Sequence, residues 1–405
     1  MTTARQIKEN LYYIGASDRR LALFENIMPV PRGVSYNAYL LLDEQTALLD
    51  TVDNAVGEQF IENLETTLNG RALNYLVIHH VEPDHLSMTA AVLQRHPEAR
   101  IVCSAQAAKF IGQFFDIQLY TAPLIVKEGD TLTTGRHTFT FVAAPMVHWP
   151  EVLVSYESSE KILFSADAFG TFGALGGNLF ADEVNFDRDW LDDARRYYTN
   201  IVGKYGPNVE KVLQKAAAFD IRMVCPLHGP VWRENIGYYI EKHQHWCTYT
   251  PESESVAIFY GSPYGHTASA ATALANMLAE AGIADIRIYD VSATHVSYLV
   301  AEAFRCRHIV LAAPTYNNGL FPPMETLLLD LQAHQLQNRT FALIENGTWS
   351  PKSAQSMRKI LETLTNCPVL EPVVTLKSSL KKEQMSDLKA LAEHIFTSYT
   401  SYNRK

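Results

Sequence analysis

Four side chains that can bind a metal ion stand close together after an apolar stretch at residues 75–78: His80, Glu82, Asp84 and His85. Alternate side chains of an extended segment point to the same side, so we expect His80, Glu82 and Asp84 to converge, with His85 turning in behind them. A polar loop after a strand is the ordinary interpretation of one such residue. Four of them in this spacing favour a metal site.

Three more candidate ligands follow where predicted strands end: His148, Asp167 and His228. Each alone could be a buried polar group satisfied by hydrogen bonds to the backbone. Together the seven offer four imidazoles and three carboxylates, which is too many for one ion but suits two ions that share a carboxylate. Carboxylates are hard, negatively charged ligands and favour iron or manganese over zinc. Zinc also binds nitrogen and oxygen, so a zinc hydrolase stays open.

A second set of residues is suited to a phosphate group. The turn after a strand predicted at residues 256–261 contains Ser262, Tyr264, Gly265, His266 and Thr267, and a helix is predicted to begin near its end. Hydroxyl groups and free backbone N–H groups at the start of a helix can hold a dianionic phosphate without a lysine. The same turn by itself could be a simple helix cap.

Two further loops, after the third and fourth strands of this region, favour a flavin. Backbone amides at these strand ends can reach the polar edge of a flavin, and the indole of Trp349 can stack on its ring, although a surface aromatic could also cover the core. A site for one phosphate indicates FMN rather than FAD, and no Gly-x-Gly-x-x-Gly motif is present. The candidate residues of the two loops are Pro314, Thr315, Tyr316, Asn317, Asn318, Gly319, Asn346, Gly347, Thr348 and Trp349.

Two regions with different patterns of predicted strands and helices must position these residues. Residues 1–250 carry many short β-branched and aromatic runs, such as 36–42, and a few helical patterns, such as 190–201. That arrangement fits an αββα sandwich. Residues 255–400 alternate five strands with five helices, the last strand being predicted at 369–374, which is typical of a doubly wound parallel sheet. The predicted fold class is α/β in both domains.

The overall composition excludes several classes of protein. The chain has 405 residues and a net charge of −10, which disfavours binding to nucleic acids or to anionic membranes. No apolar stretch reaches the roughly 18 residues that span a bilayer, and the polar N-terminus has no signal-peptide core, so a cytoplasmic location is expected. The five cysteines are scattered without a Cys-x-x-Cys pair. Any metal is therefore expected to bind histidine and carboxylate.

The order His-x-Glu-x-Asp-His followed by His148, Asp167 and His228 resembles the metallo-β-lactamase superfamily. Glu82, where most of that superfamily has histidine, resembles the flavodiiron proteins, and a flavodoxin-like second domain is similar to theirs. The resemblance covers essentially the whole chain. It implies one iron held by His80, Glu82 and His148, a second held by Asp84, His85 and His228, and Asp167 bridging the two.

Two positions depart from the family pattern. His79 stands where asparagine is expected, and Leu86 stands where a small or hydroxyl residue is commoner. We expect His79 to point away from His80 and to play a supporting role. Tyr198 is expected to be a packed core residue rather than a member of the site.

The resemblance also implies a function. It predicts a flavodiiron oxidoreductase that reduces O2 to water, NO to N2O, or both, with electrons relayed through FMN from an external donor such as rubredoxin. It implies a head-to-tail homodimer and leaves a homotetramer open. One alternative is a metal-dependent hydrolase with a regulatory flavodoxin-like domain. Another is a flavin electron carrier whose metal site is empty.

Overall fold

The structure is a computed structural model that describes residues 2–116 and 121–402. The chain divides into two compact units. One runs up to Tyr198 and includes Tyr205–Gln244; the other combines Thr199–Lys204 with the chain from His245 onward. The domain limits 1–250 and 255–400 stay a prediction beside this division. No described helix is both long and apolar enough to cross a membrane.

The first unit contains two large sheets and two two-stranded sheets in its described residues. The larger has the strand order β1-β2-β7-β8-β9-β10-β11 and the next β12-β13-β14-β15-β16, while β3 pairs with β6 and β4 with β5. The strands are β1 (Arg5–Lys8), β2 (Leu11–Tyr13), β3 (Ala16–Asp18), β4 (Leu23–Phe24), β5 (Met28–Pro29), β6 (Val34–Tyr36), β7 (Tyr39–Leu42), β8 (Thr46–Leu49), β9 (Tyr75–Val77), β10 (Arg100–Cys103), β11 (Leu124–Ile125), β12 (Thr131–Thr133), β13 (Thr138–Ala143), β14 (Leu153–Glu157), β15 (Ile162–Phe164) and β16 (Met223–Cys225).

Helices accompany these sheets. Helix α1 buries Phe60, Leu64 and Leu68, which recur every four residues on one face, and it ends at Asn69 in the left-handed conformation (φ 47°). The helices are α1 (Gly57–Leu68), α2 (Pro83–Leu86), α3 (Thr89–Arg95), α4 (Ala105–Phe114), α5 (Phe186–Asp189), α6 (Leu191–Tyr197), α7 (Gly206–Ala216) and α8 (Ile236–Cys247), with shorter 3-10 turns at Asn54–Val56 and Ala181–Glu183. The end of α8 and most of a 3-10 turn at Gly203–Tyr205 fall in segments assigned to the second unit.

The two sheets of the first unit pack against each other. The ring of Tyr39 in β7 lies 5.5 Å from that of Phe164 in β15, so apolar side chains of both sheets share one core.

Two sequence predictions change in detail. The run predicted at 36–42 is interrupted between β6 and β7, and the helix predicted at 190–201 becomes a π-helical turn at Tyr198–Val202 after α6.

The second unit is a parallel sheet with strand order β18-β17-β19-β21-β22, which is the flavodoxin-like order, and β20 pairs antiparallel with β19. Its strands are β17 (Ser253–Tyr260), β18 (Ile286–Asp290), β19 (Cys306–Tyr316), β20 (Gly319–Leu320), β21 (Thr340–Asn346) and β22 (Val374–Leu376). Its helices are α9 (His266–Glu280), α10 (Val296–Arg305), α11 (Pro322–Ala333), α12 (Ser353–Leu361) and α13 (Met385–Tyr402), with a 3-10 turn at Lys382–Gln384.

This sheet is buried on both faces. Ala257 and Phe259 of β17 belong to one hydrophobic cluster, whereas Val256 and Ile258 belong to the cluster on the other face. Alternate residues of one strand therefore face the two layers of helices, as expected for a parallel sheet. The predicted α/β class with a doubly wound second part is confirmed.

The fifth strand of this sheet corrects one prediction. It was expected at 369–374 and lies at Val374–Leu376, while Val369 makes only an isolated bridge to Phe341. Pro372 interrupts the predicted segment, because proline has no N–H to donate to a neighbouring strand.

Candidate metal centre and flavin site

The first ligand candidates lie where β9 ends and α2 begins. His80 and Glu82 follow the strand, and Pro83 then opens α2 at a first-turn position, where a fixed φ and a missing N–H fit a helix. Asp84 and His85 are therefore helical. The prediction that Asp84 aligns with His80 and Glu82 by strand alternation is wrong, because the extended segment ends at Glu82.

The seven candidates nevertheless come together, in two groups. Within each group the ligand atoms lie within 4.8 Å of one another. All are buried or nearly so: His80 is 0% exposed, and Asp167, His85 and His228 are each 1% exposed. The first group is His80, Glu82, His148 and Asp167, and the second is Asp84, His85 and His228.

Asp167 lies between the two groups. Its Oδ2 is 3.3 Å from Nε2 of both His80 and His148. Its Oδ1 is 3.2 Å from Nε2 of His85 and 3.5 Å from Nε2 of His228. One carboxylate thus presents one oxygen to each group, which is the geometry that a bridging ligand requires.

The second group converges on one point as well. Nε2 of His85 and Nε2 of His228 are 3.1 Å apart, and Oδ2 of Asp84 is 3.4 Å from the first and 3.3 Å from the second. Both carboxylate oxygens of Asp84 and both of Asp167 are buried without a hydrogen-bond partner among the described residues. Buried carboxylates left in this state are strongly destabilising, and cations between them would compensate the charge. The residues present therefore fit two metal ions.

Contacts behind the ligands orient them. Nδ1 of His80 lies 2.7 Å from Oε1 of Glu151, which also accepts a hydrogen bond from the Val81 N–H at 3.1 Å. Nδ1 of His228 lies 2.7 Å from the carbonyl oxygen of Ser35. Because a carbonyl only accepts, Nδ1 of His228 carries the proton and Nε2 turns its lone pair to the cluster.

Sequence reasoning did not identify Glu151 or Ser35 as parts of the site. Glu151 stands three positions after His148, so an acidic residue near a candidate ligand was the available signal. Ser35 acts through its carbonyl, which every residue has, so its residue type gives no signal.

Glu25, at the tip of the hairpin between β4 and β5, was also missed. Glu25 is exposed as a residue, but burial of its carboxyl and the nearby Glu82 carboxylate raise its pKa to about 8.

The carboxylates of the cluster raise the pKa values of the imidazoles next to them. Burial lowers the pKa of the His85 imidazole, but the charges of Asp84 and Asp167 outweigh it and raise that pKa to about 9. Burial is likewise outweighed at His148, where the neighbouring carboxylates of Asp167 and Glu82 raise the pKa to about 9. Protons thus compensate the carboxylates when no cation does. Metal ions would displace these protons, so metal and proton compete for the site.

Aromatic rings pack around His228 of the second group. The rings of Phe24, Tyr36 and Tyr197 lie 5.6, 5.7 and 5.4 Å from the imidazole of His228. The side-chain amide of Asn37, in the break between β6 and β7, donates to the carbonyls of Pro226 and Gly229, both at 2.9 Å. This pair of hydrogen bonds holds the loop that carries His228.

The residues that departed from the family pattern stand outside both ligand groups. Nδ1 of His79 lies 2.6 Å from Oδ2 of Asp50, and its Nε2 lies 2.8 Å from Oγ of Ser155 in the other sheet. His79 therefore links the two sheets behind the cluster. Leu86 is fully buried in α2, and Tyr198 is buried with its ring 5.5 Å from that of His243.

The second unit holds a cavity of about 620 Å³ at the carboxyl ends of β17, β19 and β21, a volume that suits a cofactor. Of the predicted flavin residues, Gly265 and Gly319 do not line it; Gly265 supplies the left-handed turn (φ 84°) before α9. Its lining also includes Pro263, Ser350 and Ser378, which the sequence did not single out. The predicted residues that line it are Ser262, Tyr264, His266, Thr267, Pro314, Thr315, Tyr316, Asn317, Asn318, Asn346, Gly347, Thr348 and Trp349.

The deep wall of this cavity is held by hydrogen bonds, whereas its rim is exposed to solvent. Nδ2 of Asn346 donates to Oγ1 of Thr267 at 3.1 Å and to the carbonyl of Ser378 at 2.8 Å, so the deep wall is preorganised. At the rim, the side chains of Tyr264 and Trp349 are 89% and 90% exposed. Large aromatic rings at an open rim fit a planar ligand that would cover them.

Comparison with known proteins agrees with this geometry. The family described as ODP family beta lactamase matches residues 34–229. The anaerobic nitric oxide reductase flavorubredoxin of Aliivibrio salmonicida (strain LFI1238) is 31% identical over 351 residues, which cover 85% of this chain and 69% of that protein. The chain belongs to the flavodiiron protein family.

Solved structures of flavodiiron proteins have the same fold. The rubredoxin oxygen:oxidoreductase of Desulfovibrio gigas matches with a TM-score of 0.91 and 27% identity, covering 98% of this chain and 99% of that one. The flavodiiron protein from Giardia intestinalis matches with a TM-score of 0.91 and 22% identity, over 100% and 99% of the two chains.

Membership of the flavodiiron family decides between the sequence-based alternatives. The chain is an oxidoreductase, and the main prediction is confirmed over the metal-dependent hydrolase. Its predicted cofactors, a pair of iron ions and FMN, are confirmed as those of the family. The two-group cluster fits the iron pair, and the cavity at the strand ends fits the flavin.

Proposed function

We propose that this flavodiiron protein reduces O2 to water, NO to N2O, or both, at a di-iron centre. The observation that carries the proposal is the position of Asp167, whose two oxygens face two separate groups of ligands at 3.2–3.5 Å. Two metals held at bridging distance suit a small diatomic substrate that must receive several electrons. The names of the relatives from Aliivibrio and Desulfovibrio support NO and O2 respectively as substrates.

The proposed ligand assignment follows the two groups. His80, Glu82 and His148 hold one iron, Asp84, His85 and His228 hold the other, and Asp167 bridges them. When bound, the iron pair supplies electrons and open coordination positions for the substrate. Glu151 and the Ser35 carbonyl hold two of the imidazoles in the correct tautomer. Phe24, Tyr36 and Tyr197 exclude water beside His228.

The proposed flavin site is the cavity of the second unit. The hydroxyls of Ser262 and Thr267 and the first N–H groups of α9 hold the phosphate of FMN, because a helix start favours a dianion. Tyr264 and Trp349 cover the ring from the rim. When bound, FMN supplies storage for two electrons that arrive one at a time. The polar contacts between Asn346, Thr267 and Ser378 keep the deep wall in place before the cofactor binds.

Three further features belong to the proposal. Rubredoxin or a similar protein is the electron donor, which the name of the Desulfovibrio relative supports. The protein acts as a head-to-tail homodimer, in which each flavin serves the irons of the partner, and a homotetramer stays open; the family resemblance supports this. A cytoplasmic location is supported by the five cysteines, whose odd number and wide spacing do not suit a disulfide framework.

The function is tested by anaerobic turnover. The iron-loaded protein is chemically reduced and given O2 or NO side by side, with O2 uptake and N2O formation measured. Asp167→Ala, loaded in the same way, is the control. Turnover of at least one of the two gases by the wild type and of neither by the variant is expected. A wild type that holds two irons and flavin but converts neither gas would contradict the proposal.

The dimer is tested by complementation. One parent carries Asp167→Ala, and the other carries Ser262→Ala, Thr267→Val and Trp349→Ala. If the two are assembled together at random, half the dimers are hybrids with one working pair out of two, so activity should return to about a quarter of wild type. A mixture that contains hybrids and stays inactive would show that electrons pass within one chain.

A further inference from the structure

Trp149 lies directly against two of the candidate iron ligands. It follows His148 in the chain, and its ring centroid is 5.3 Å from the imidazole of His80 at an interplanar angle of 89°. The imidazole of His148 lies 6.2 Å away at 78°. The indole therefore meets both ligand rings edge to face, on the side of the first ligand group.

The other side of Trp149 leads to the protein surface. The ring of Phe114 stacks on the indole at 6.3 Å and 19°, and Phe114 is 45% exposed. Trp149 itself is partly exposed. By contrast, Tyr36 and Tyr197 contact His228 of the second group and are 3% and 2% exposed. Among the described rings beside the ligands, Trp149 combines contact with the cluster and access to solvent.

We propose that Trp149 is an oxidation site of this protein, at which an oxygen atom is inserted into the indole when the flavin cannot supply electrons. The inference rests on the proposed reduction of O2. Conversion of O2 to two waters takes four electrons, and a ferrous pair supplies two of them. Without a donor, the other two come from FMN or, when FMN is absent, from an oxidisable side chain beside the site. Indole is electron-rich and accepts an oxygen atom at its ring carbons, and Trp149 lies against two ligands of the first group.

The step balances without a further reactant. One oxygen atom of O2 enters an indole C–H bond, which breaks as a C–O and an O–H bond form, and the indole thereby gives up two electrons. The second oxygen atom leaves as water with two protons from solvent. The remaining two electrons would come from a ferrous pair held by the two ligand groups, which would be left ferric. Oxidation at Trp149 places the damage on a side chain that binds no metal and spares the adjacent His80 and His148.

The experiment follows the label from ¹⁸O2. Full-length, iron-loaded and reduced protein is exposed to ¹⁸O2 without an electron donor, once with its flavin and once with the flavin removed. Iron oxidation is measured in parallel, and peptides are sequenced by mass spectrometry. We expect one ¹⁸O atom on Trp149 in the flavin-free sample and loss of most of that signal when reduced flavin is present.

Trp149→Phe keeps a ring at the position and should abolish the labelled signal while ferrous oxidation continues. On repeated exposure of the flavin-free variant, label should move to the ligand histidines and iron should be lost faster than from wild type. Label on Tyr197, Tyr36 or a ligand histidine of the wild type, or no label although the iron is oxidised, would overturn the inference. If the iron does not react with ¹⁸O2 at all, the proposed function fails, and this inference fails with it.

Discussion

Glu151 offers the sharpest test of how the first ligand group is built. Its Oε1 accepts hydrogen bonds from Nδ1–H of His80 at 2.7 Å and from the N–H of Val81 at 3.1 Å. Its side chain is 0% exposed, so water does not replace these bonds if it is removed. Glu151→Gln keeps the shape and an acceptor oxygen but removes the charge. Glu151→Ala leaves both donors without a partner.

The expected loss follows from what such outer contacts contribute. Removing a carboxylate behind a metal-binding histidine lowers metal affinity by about 10- to 100-fold, or about 1.4–2.7 kcal/mol. We place Glu151→Gln near the lower value and Glu151→Ala near the upper one. The loss should fall on the ion held by His80, Glu82 and His148, while the ion held by His85 and its neighbours is retained more tightly.

The assay is competition for ferrous iron with a chelator of known affinity, counting the ions retained per chain. Flavin content serves as a check that each variant is folded. Glu157→Gln is the matched control, because the Glu157 side chain is likewise buried, at 2% exposed, and lies 3.1 Å from a histidine, His137, that is not a candidate ligand. Equal iron retention by Glu151→Ala and the control variant would refute the reasoning.

Four other outcomes are expected. Asp167→Ala should lose both irons and keep FMN in elemental and flavin analysis, whereas His79→Asn should lose little; identical behaviour of the two would show that the ligand assignment is wrong. Iron should bind more weakly as the pH falls below about 9, because protons then occupy His85 and His148, and a pH indicator should register proton release on binding. The metal-free protein should instead be more stable at lower pH. Because folding raises the pKa values of His85 and His148, their contribution to the free energy of unfolding is fully present below pH 6.5 and is lost as the pH rises through about 9, which denaturant titrations would measure. NADH alone should barely reduce the protein, and rubredoxin with its reductase should restore turnover; fast direct oxidation of NADH would contradict the proposed donor.

Local sequence determined much of this protein. The spacing of His80, Glu82, Asp84 and His85 after an apolar strand indicated a metal site, since residues so close in the chain cannot be far apart in space. Strand–helix alternation after residue 255 indicated the parallel sheet, because each unit must bury an apolar strand beneath a helix. In such a sheet the loops after the strands meet at one edge, which is why most of the predicted flavin residues line one cavity.

Tertiary structure alone decided how these residues divide and what supports them. Asp84 belongs to a different ligand group from His80 because helix α2 begins at Pro83. A strand pattern in the sequence does not show where the backbone turns into that helix. The bridging position of Asp167 depends on four imidazoles carried by three segments that lie far apart in the chain. Glu151 and the Ser35 carbonyl act across 71 and 193 positions of sequence. Such contacts arise only when the sheets pack together. Every residue has a backbone carbonyl, so the residue type at position 35 does not indicate that its carbonyl orients a ligand.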